Sequence, residues 1–479
     1  MTRRASPLFE AFAELATRRP ALPALRGPVG EPDCTRGALL ERALDTARLL
    51  QLRGLARGDV VLVAGATGES WVVAMLAVWA CDAVALPGDP QLTGPELDAL
   101  ETRFATRARV VAEPTGRLQV VVAGETRADP DARLPAGTAV LKLTSGSMAR
   151  PRGVATTADQ LLADSRQILV GMGIGPEDWN VGVVPMSHSY GLSSLLLPLI
   201  VQGSPLLLVP SPLPDALAKV LSTEEPAVFP GVPYLFDLLA RPDGPTFTTR
   251  GLRLCVSAGA MLRARTAAAF REKYGLPVRS FYGTSETGGL TFDASADGDA
   301  AARFEGCVGT PLPGVAISLR EEDGRVVARG ASVASGYLGP CDDAATGEFR
   351  DGAFLAGDTA RFDEQGRLHL TGRLGSRANV SGRKIDPHEI EKALDDLAGV
   401  REAAVSSLPD DQRGESLVAY VVAERDLTAA DVLAHLRARL AAWKLPRQVV
   451  FLKALPRNAR GKLDTAALVA EARRGERER

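Results

Sequence analysis

Residues 143–154 read LTSGSMARPRGV and follow directly on the apolar AVLKL. Thr, Ser and Gly behind a strand-like segment compose a loop suited to holding phosphate. Backbone N–H groups around Gly146, with hydroxyls from Thr144, Ser145 and Ser147, can wrap phosphate oxygens, and Arg150 and Arg152 can neutralise them. It is not a Walker A loop, because no Gly-Lys-Ser/Thr follows the glycine. A phosphate loop also wants small residues throughout, and Met148 stands at its crest. Taken alone, the stretch is also readable as a basic surface turn.

Outward from this loop, strand-like runs alternate with helical ones. VVLVAG, ESWVVAMLAVWAC and AVALPGD succeed one another near residues 60–89, and the rhythm returns in SPLLLVP with PDALAKVLS and in LRLCVSAG with MLRARTAAAFREKYG. Such alternation predicts an α/β fold with mostly parallel sheets. After about residue 300 the texture changes to short strands around the hairpin signals EEDGR and DEQGR, which predicts a smaller β subdomain. From residue 374 a helix DPHEIEKALDDL, strands REAAVSSLP and SLVAYVVAE, and a helix TAADVLAHLRARLAAW opened by Thr428 predict a compact α+β unit. The expected division is a core domain over 1–373 and a mobile C-terminal lid domain over 374–479.

The bulk properties narrow the function classes. The 479 residues are 46% hydrophobic and 24% charged, ordinary for a soluble globular protein. Lys+Arg 56 against Asp+Glu 58 leaves a net charge of −2, so no global field draws the chain to nucleic acid or an anionic membrane. Cys34, Cys81, Cys255, Cys307 and Cys341 lie far apart without metal-ligand spacing, which fits free thiols in a reducing compartment. The start, MTRRASPLFEAF, lacks a secretory pattern, and Glu69, Asp82 and glycines interrupt the most apolar stretch. No membrane span and a cytoplasmic location are expected.

Three further stretches carry chemistry. In FYGTSETGG (281–289) a strand end would set Glu286 beside Tyr282, Thr284 and Ser285. Carboxylate and hydroxyls suit a hard cation bridging phosphates, and a tyrosine face suits a purine; the plain alternative is a hydrogen-bonded turn with a solvated glutamate. In FLAGDTARFDEQG, Asp358 follows a Gly-bearing turn and can accept from vicinal ribose hydroxyls, or is simply a turn or N-cap aspartate. In LPRNARGKLD (455–464), Lys462 can reach a developing negative charge, or is an ordinary basic-tail lysine.

Order and spacing of the four stretches resemble the adenylate-forming superfamily of acyl- and aryl-CoA synthetases, nonribosomal adenylation domains and luciferases, over nearly the whole chain. The family loop T-S-G-S/T-T-G-x-P-K-G is matched by Thr144 to Gly153, its Y-G-x-T/S-E motif by Tyr282 to Glu286, and its T/S-G-D aspartate by Asp358. The G-R-x-D/K hinge becomes Gly372-Arg373-Leu374-Gly375, and the terminal P-x-x-x-x-G-K motif supplies Lys462. The resemblance implies ATP-dependent activation of a small carboxylic acid to an acyl-adenylate with release of pyrophosphate. Transfer to a thiol would follow, of CoA or of carrier-protein phosphopantetheine, with rotation of the C-terminal domain between the half-reactions. It further implies that Thr144, Ser145, Gly146, Ser147 and Arg152 hold the triphosphate, and that Tyr282, with Gly283 and Thr284, meets adenine. Ser285 would touch the α-phosphate, Glu286 hold Mg2+, Asp358 and Arg373 bind ribose, and Lys462 bridge carboxylate and α-phosphate.

Three departures bear on this. Met148 and Ala149 replace Thr-Gly, and alanine enters positive φ less readily. Arg152 replaces lysine with a broader fork, and Gly375 replaces the hinge Asp or Lys. None removes the ribose aspartate or the lysine, so activity is expected.

VPMSHSYGLSSLLLPL (184–199) resembles the family's acyl-pocket region, with His188 as a gate or else a packed core histidine. Amino-acid activators carry an aspartate after the gate; Ser189 stands there, and a buried ammonium without countercharge is severely penalised. The pattern His188, Tyr190, Leu192, Ser194 resembles aryl-acid activators, and Ala258 and Gly259 in VSAGAML, with Gly283, match the lining that admits a ring. An aryl or related non-amino acid is the expected substrate. The alternatives are a carrier protein in trans or an amine as acceptor, and a non-catalytic nucleotide-binding paralogue.

Overall fold

In the computed structural model the apolar run near residues 60–89 becomes strand Val60–Gly65, helix Glu69–Ala80 and strand Val84–Pro87. The structure describes residues 5–27, 33–66, 68–113, 116–122, 134–144, 152–209, 213–295, 306–338, 347–373, 378–380, 383–385, 387–410, 414–440, 442–458 and 463–477. They form two compact units: Met1–Arg320 with Val326–Ala356 and Arg361–His369, and Leu370–Arg479 with Glu321–Arg325 and Gly357–Ala360. Helix Glu69–Ala80 is apolar on every face, so it must be enclosed. Trp71 and Trp79 are fully buried, and the Trp79 indole donates to the Ala139 carbonyl at 3.0 Å. Among the described residues no helix is long and apolar enough to cross a membrane.

Two sheets carry the first unit. One has seven strands, in the order Gly336–Leu338, Arg152–Thr157, Thr138–Thr144, Val84–Pro87, Val60–Gly65, Ala108–Ala112, Leu118–Val122. Its middle is parallel and both edges are antiparallel. The other sheet has a parallel run of Pro23–Arg26, Leu206–Leu208, Trp179–Gly182, Ala227–Gly231, Leu252–Ser257 and Val278–Thr284. Consecutive β and α elements along these runs are what the alternation predicts, and βαβ crossovers cover both faces of such strands.

Beyond Val278–Thr284 the second sheet turns antiparallel through Gly288–Phe292 and Cys307–Pro311, which replaces the parallel pattern with the expected β subdomain. EEDGR joins Ala316–Leu319 to Arg325–Arg329, with Gly324 at φ +71°. DEQGR lies between Ala353–Phe362 and Leu368–Arg373, with Gly366 at φ +73°. Both glycines take the left-handed turn position that other residues enter only under strain.

The second unit has a five-stranded sheet of Arg383–Ile385, Ala378–Val380, Gly414–Ala423 and Val400–Asp410, with Gln448–Phe451 parallel to Gly414–Ala423. Helices Pro387–Asp395, Ala429–Arg437 and Thr465–Arg477 accompany it. Thr428 caps as expected: its backbone N–H donates to Asp431 at 2.9 Å and its hydroxyl accepts from the Asp431 N–H at 3.2 Å. That helix ends at Arg437, short of the expected run to Trp443. A 3-10 turn Ala442–Lys444 follows, two residues before Pro446.

The DEQGR turn is held by Asp363. It accepts from the N–H groups of Gln365 (3.1 Å) and Arg367 (2.8 Å) and from the Arg367 guanidinium (2.7 Å), and it pairs with His369 Nε2 at 2.9 Å. Burial pushes its pKa up, but the bonds from His369 and Arg367 outweigh that and hold the carboxyl well below the usual range. A depressed pKa contributes stability that is full above the unfolded value and is lost as pH falls through the folded one. Asp363→Asn is therefore expected to cost about 1 kcal/mol at neutral pH. The gap from the parent should close in strong acid, as read by denaturant titration at the two pH values.

Candidate active site

Ligands in open α/β sheets settle outside the carboxyl ends of the strands. Sequence-distant candidate residues meet that condition here. Thr144 ends Thr138–Thr144, Ala258 and Gly259 follow Leu252–Ser257, and Ser285 and Glu286 follow Val278–Thr284. His188 and Ser189 come shortly after Trp179–Gly182.

The opening loop is the crossing of a β-hairpin. Thr144 pairs with Arg152, so its two ends are pinned together, while Ser145, Gly146 and Ser147, like Met148 and Ala149, lie outside the described residues. Arg152 is buried, and its guanidinium sits 5.6 Å from the centre of the Tyr337 ring. Strand Gly336–Leu338 adds antiparallel to Arg152–Thr157, matching Tyr337 to Val154. The Tyr337 hydroxyl in turn donates to Glu286 Oε1 at 2.8 Å. Glu286 is only 7% exposed, which overturns the reading of a solvated glutamate: strand pairing delivers a tyrosine that covers it. Its own N–H donates to Thr284 Oγ1 at 3.2 Å, and its carbonyl accepts from Ala334 at 2.8 Å. Tyr282 is buried beside it, and Gly283 is obligatory, since a Cβ there would lie 2.3 Å from the Gly288 carbonyl oxygen.

Beneath this turn lies a buried lysine. Lys142, in the strand that feeds the loop, donates to the Ser285 carbonyl at 3.1 Å. Burial pushes its pKa down, opposed by the charges of Asp164 and Glu286. Asp164 is buried too, accepts from Ser193 (2.6 Å) and the Gly289 N–H (2.8 Å), and burial pushes its pKa up against the Lys142 charge. On the acid side, the Ser189 hydroxyl donates to Ser285 Oγ at 2.8 Å. Tyr190 donates to the Val256 carbonyl at 3.1 Å, and burial raises its pKa far above that of a free phenol. His188 Nε2 lies 2.9 Å from Asp89 Oδ2, so a carboxylate from the end of Val84–Pro87 is engaged at the gate position. Ser194 and Ala258 are buried and Gly259 is exposed.

In the second unit, Asp358 departs from expectation. It lies half-buried inside strand Ala353–Phe362 and follows no turn, because the strand runs on through Gly357. Arg373 ends strand Leu368–Arg373, with its side chain outside the described residues, as are Gly375 and Lys462. The Lys462 loop is pinned at its base by an antiparallel bridge between Arg457 and Leu463 and by Asp464 N–H donating to the Pro456 carbonyl at 2.9 Å.

Glu286 offers one carboxylate, and no group of three His, Cys, Asp or Glu residues forms a metal cluster among the described residues. One or two carboxylates completed by substrate phosphates is the usual arrangement for Mg2+, so the donor set fits that ion shared with a triphosphate. Lys142, Asp164, Tyr337 and Asp89 were not read from sequence as site residues. A lysine inside the apolar AVLKL was the available signal for the first. Lys142→Met would leave Asp164 and Glu286 without their nearby cation, an expected loss of roughly 3–5 kcal/mol in thermal or urea unfolding. Adding Asp164→Asn should restore roughly half of that.

Comparisons with known proteins identify the family. Residues 12–338 match the AMP-binding enzyme family, and residues 389–462 match the AMP-binding enzyme C-terminal domain. A feruloyl-CoA synthase from Amycolatopsis sp is 30% identical over 460 residues, 90% of this chain and 92% of the relative. ATP-bound MatB from Rhodopseudomonas palustris has a TM-score of 0.82 at 26% identity, covering 97% of this chain and 98% of that one. The amide bond synthetase McbA from Marinactinospora thermotolerans has a TM-score of 0.79 at 25% identity, covering 97% and 99%. The chain therefore belongs to the AMP-binding enzymes of the adenylate-forming superfamily.

Proposed function

We propose that this enzyme activates a carboxylic acid with ATP and passes the acyl group to a thiol, most simply that of CoA. In the first half-reaction a carboxylate oxygen attacks the α-phosphorus, the bond to the bridging oxygen breaks and pyrophosphate leaves. In the second, the thiol attacks the acyl carbon and AMP leaves. The observation that carries this reading is the linked cluster at the strand ends. Ser189 bonds Ser285, Lys142 holds the Ser285 carbonyl, and Arg152 lies over Tyr337, which bonds Glu286. These groups set an electropositive, hydroxyl-rich rim beside one carboxylate, the arrangement that positioning catalysis on a triphosphate needs.

Within that reading the roles divide as follows. Thr144, Ser145, Gly146, Ser147 and Arg152 cradle phosphates, Ser285 meets the α-phosphate, and Glu286 would hold Mg2+, which supplies charge neutralisation. Tyr282 with Gly283 and Thr284 borders adenine, Asp358 and Arg373 take ribose, and Lys462 bridges the attacking carboxylate and the α-phosphate. Residues 374–479 form the lid that reorients between half-reactions. His188, Ser189, Tyr190, Ser194, Ala258 and Gly259 border the acid. Ser189 brings no negative charge, and Asp89 is engaged with His188. An α-ammonium would therefore compete for that carboxylate, which supports an aryl or related non-amino acid.

Two measurements test this. Purified chain with Mg-ATP and a panel of aryl and fatty acids should release pyrophosphate in an acid-dependent manner, and Lys462→Ala should cut that release by about 10²-fold or more. A variant that retains full forward adenylation removes Lys462 from the chemistry. Supplying CoA to the adenylate-loaded enzyme should yield free acyl-CoA. Product only with an amine, the bond formed by the synthetase relative, or only with a carrier protein in trans, reassigns the acceptor. Nucleotide binding with no turnover of any acid favours the non-catalytic paralogue.

A further inference from the structure

Strand Trp179–Gly182 presents its side chains to two different layers. Trp179 and Val181 pack into the cluster around Phe229 and Phe236. Asn180, between them, faces the opposite side, where its register neighbour Val228 belongs to the cluster of Ile168, Met172 and Val256. That layer encloses a small cavity lined by Asn180, Ser194, Ile168, Met172, Val228 and Val256. It has room for a group about the size of a water molecule. Asn180 is fully buried, and neither its Oδ1 nor its Nδ2 has a hydrogen-bond partner among the described residues. The backbone is satisfied, with the Asn180 N–H donating to the Pro205 carbonyl at 2.8 Å, so the unmet capacity belongs to the side-chain amide alone.

A carboxamide has two donors and an acceptor oxygen, and enclosing it unpaired among apolar side chains is costly. Such a group is retained where something polar completes it. The cavity's position says what that is. Ser194 stands one helical turn beyond Tyr190, on the π-helical segment Leu192–Leu196, and Tyr190 is tied to Val256, another cavity wall. π-helical segments within helices are frequent at functional sites. Ser194 and Val256 therefore link the cavity to Tyr190, which follows directly on Ser189 and its bond to Ser285.

We propose that Asn180 is a specificity-determining residue that reads a hydrogen-bonding atom, a hydroxyl or carbonyl oxygen, at the distal end of the carboxylic acid. The inference rests on the reading of Tyr190 and Ser194 as the wall of the acyl pocket. A distal hydroxyl donates to Asn180 Oδ1 and accepts from Nδ2 at once, which no methyl can do. Sites built to pair a substrate hydroxyl reject the analogue lacking it far more strongly than apolar pockets reject an added methylene.

The test uses para-hydroxy and para-methyl aryl acids of graded length, with kcat/KM for pyrophosphate release measured on the parent, Asn180→Leu and Asn180→Ser. At the length that fills the pocket, the parent should prefer the hydroxy acid by at least about tenfold, Asn180→Leu should abolish or invert that preference, and Asn180→Ser should keep part of it. Turnover of the methyl acids by Asn180→Leu, with an unfolding temperature no lower than the parent's, shows that the variant is folded and adenylating. Equal preference in parent and Asn180→Leu, with both active, overturns the proposal and leaves the ligase reading standing: the amide then serves only a buried water. No turnover and no acid-induced thermal shift in the parent overturns both.

Discussion

A lysine side chain sealed beneath the Ser285–Glu286 turn constrains the rest of this molecule. Lys142 belongs to the seven-stranded sheet and bonds the Ser285 carbonyl of the other sheet, so one charged contact ties the two layers at the point where their strand ends converge. Burial on that scale is tolerable only with countercharge and full hydrogen bonding nearby. Asp164 and Glu286 supply the field, while Ser193 and the Gly289 N–H satisfy Asp164. The turn that carries Ser285 and Glu286 is consequently positioned by electrostatics as well as by its backbone.

From that tie the architecture acquires its logic. Parallel strands all deliver their carboxyl ends to one side, and the switch to antiparallel pairing after Val278–Thr284 folds the chain back past that side. Gly336–Leu338 then returns to the edge of the seven-stranded sheet and brings Tyr337 between Arg152 and Glu286. Lys142 and Tyr337, nearly two hundred positions apart, meet at the one turn that carries Ser285 and Glu286.

Much of this was legible in sequence. Alternating β and α runs, the glycine-bearing EEDGR and DEQGR turns and the Thr428 cap depend on local stereochemistry, which adjacent residues declare. The motif residues were legible because their spacing forms a joint pattern. Lys142 was read as part of an apolar run, since strand burial on both faces is decided by what packs there. Tyr337 and Asp89 reach the site through strand pairing and loop closure, and no spacing rule encodes either. Asp358 was expected after a turn because glycine precedes it; strand Ala353–Phe362 instead runs on through that glycine. Asn180 sits in a four-residue strand whose unmet amide is visible only once its neighbours are in place.

The pinned bases of the two loops have an evolutionary consequence. The ladder pair Thr144–Arg152 closes one loop and the bridge Arg457–Leu463 closes the other. Once the ends of a flexible loop are held, lengthening it is cheap, about 0.6 kcal/mol for each doubling in length. Insertions between these clasps therefore cost the fold little. Selection on the interior of each loop is thereby separated from selection on its clasp, so the loops can diverge while the scaffold beneath them stays the same.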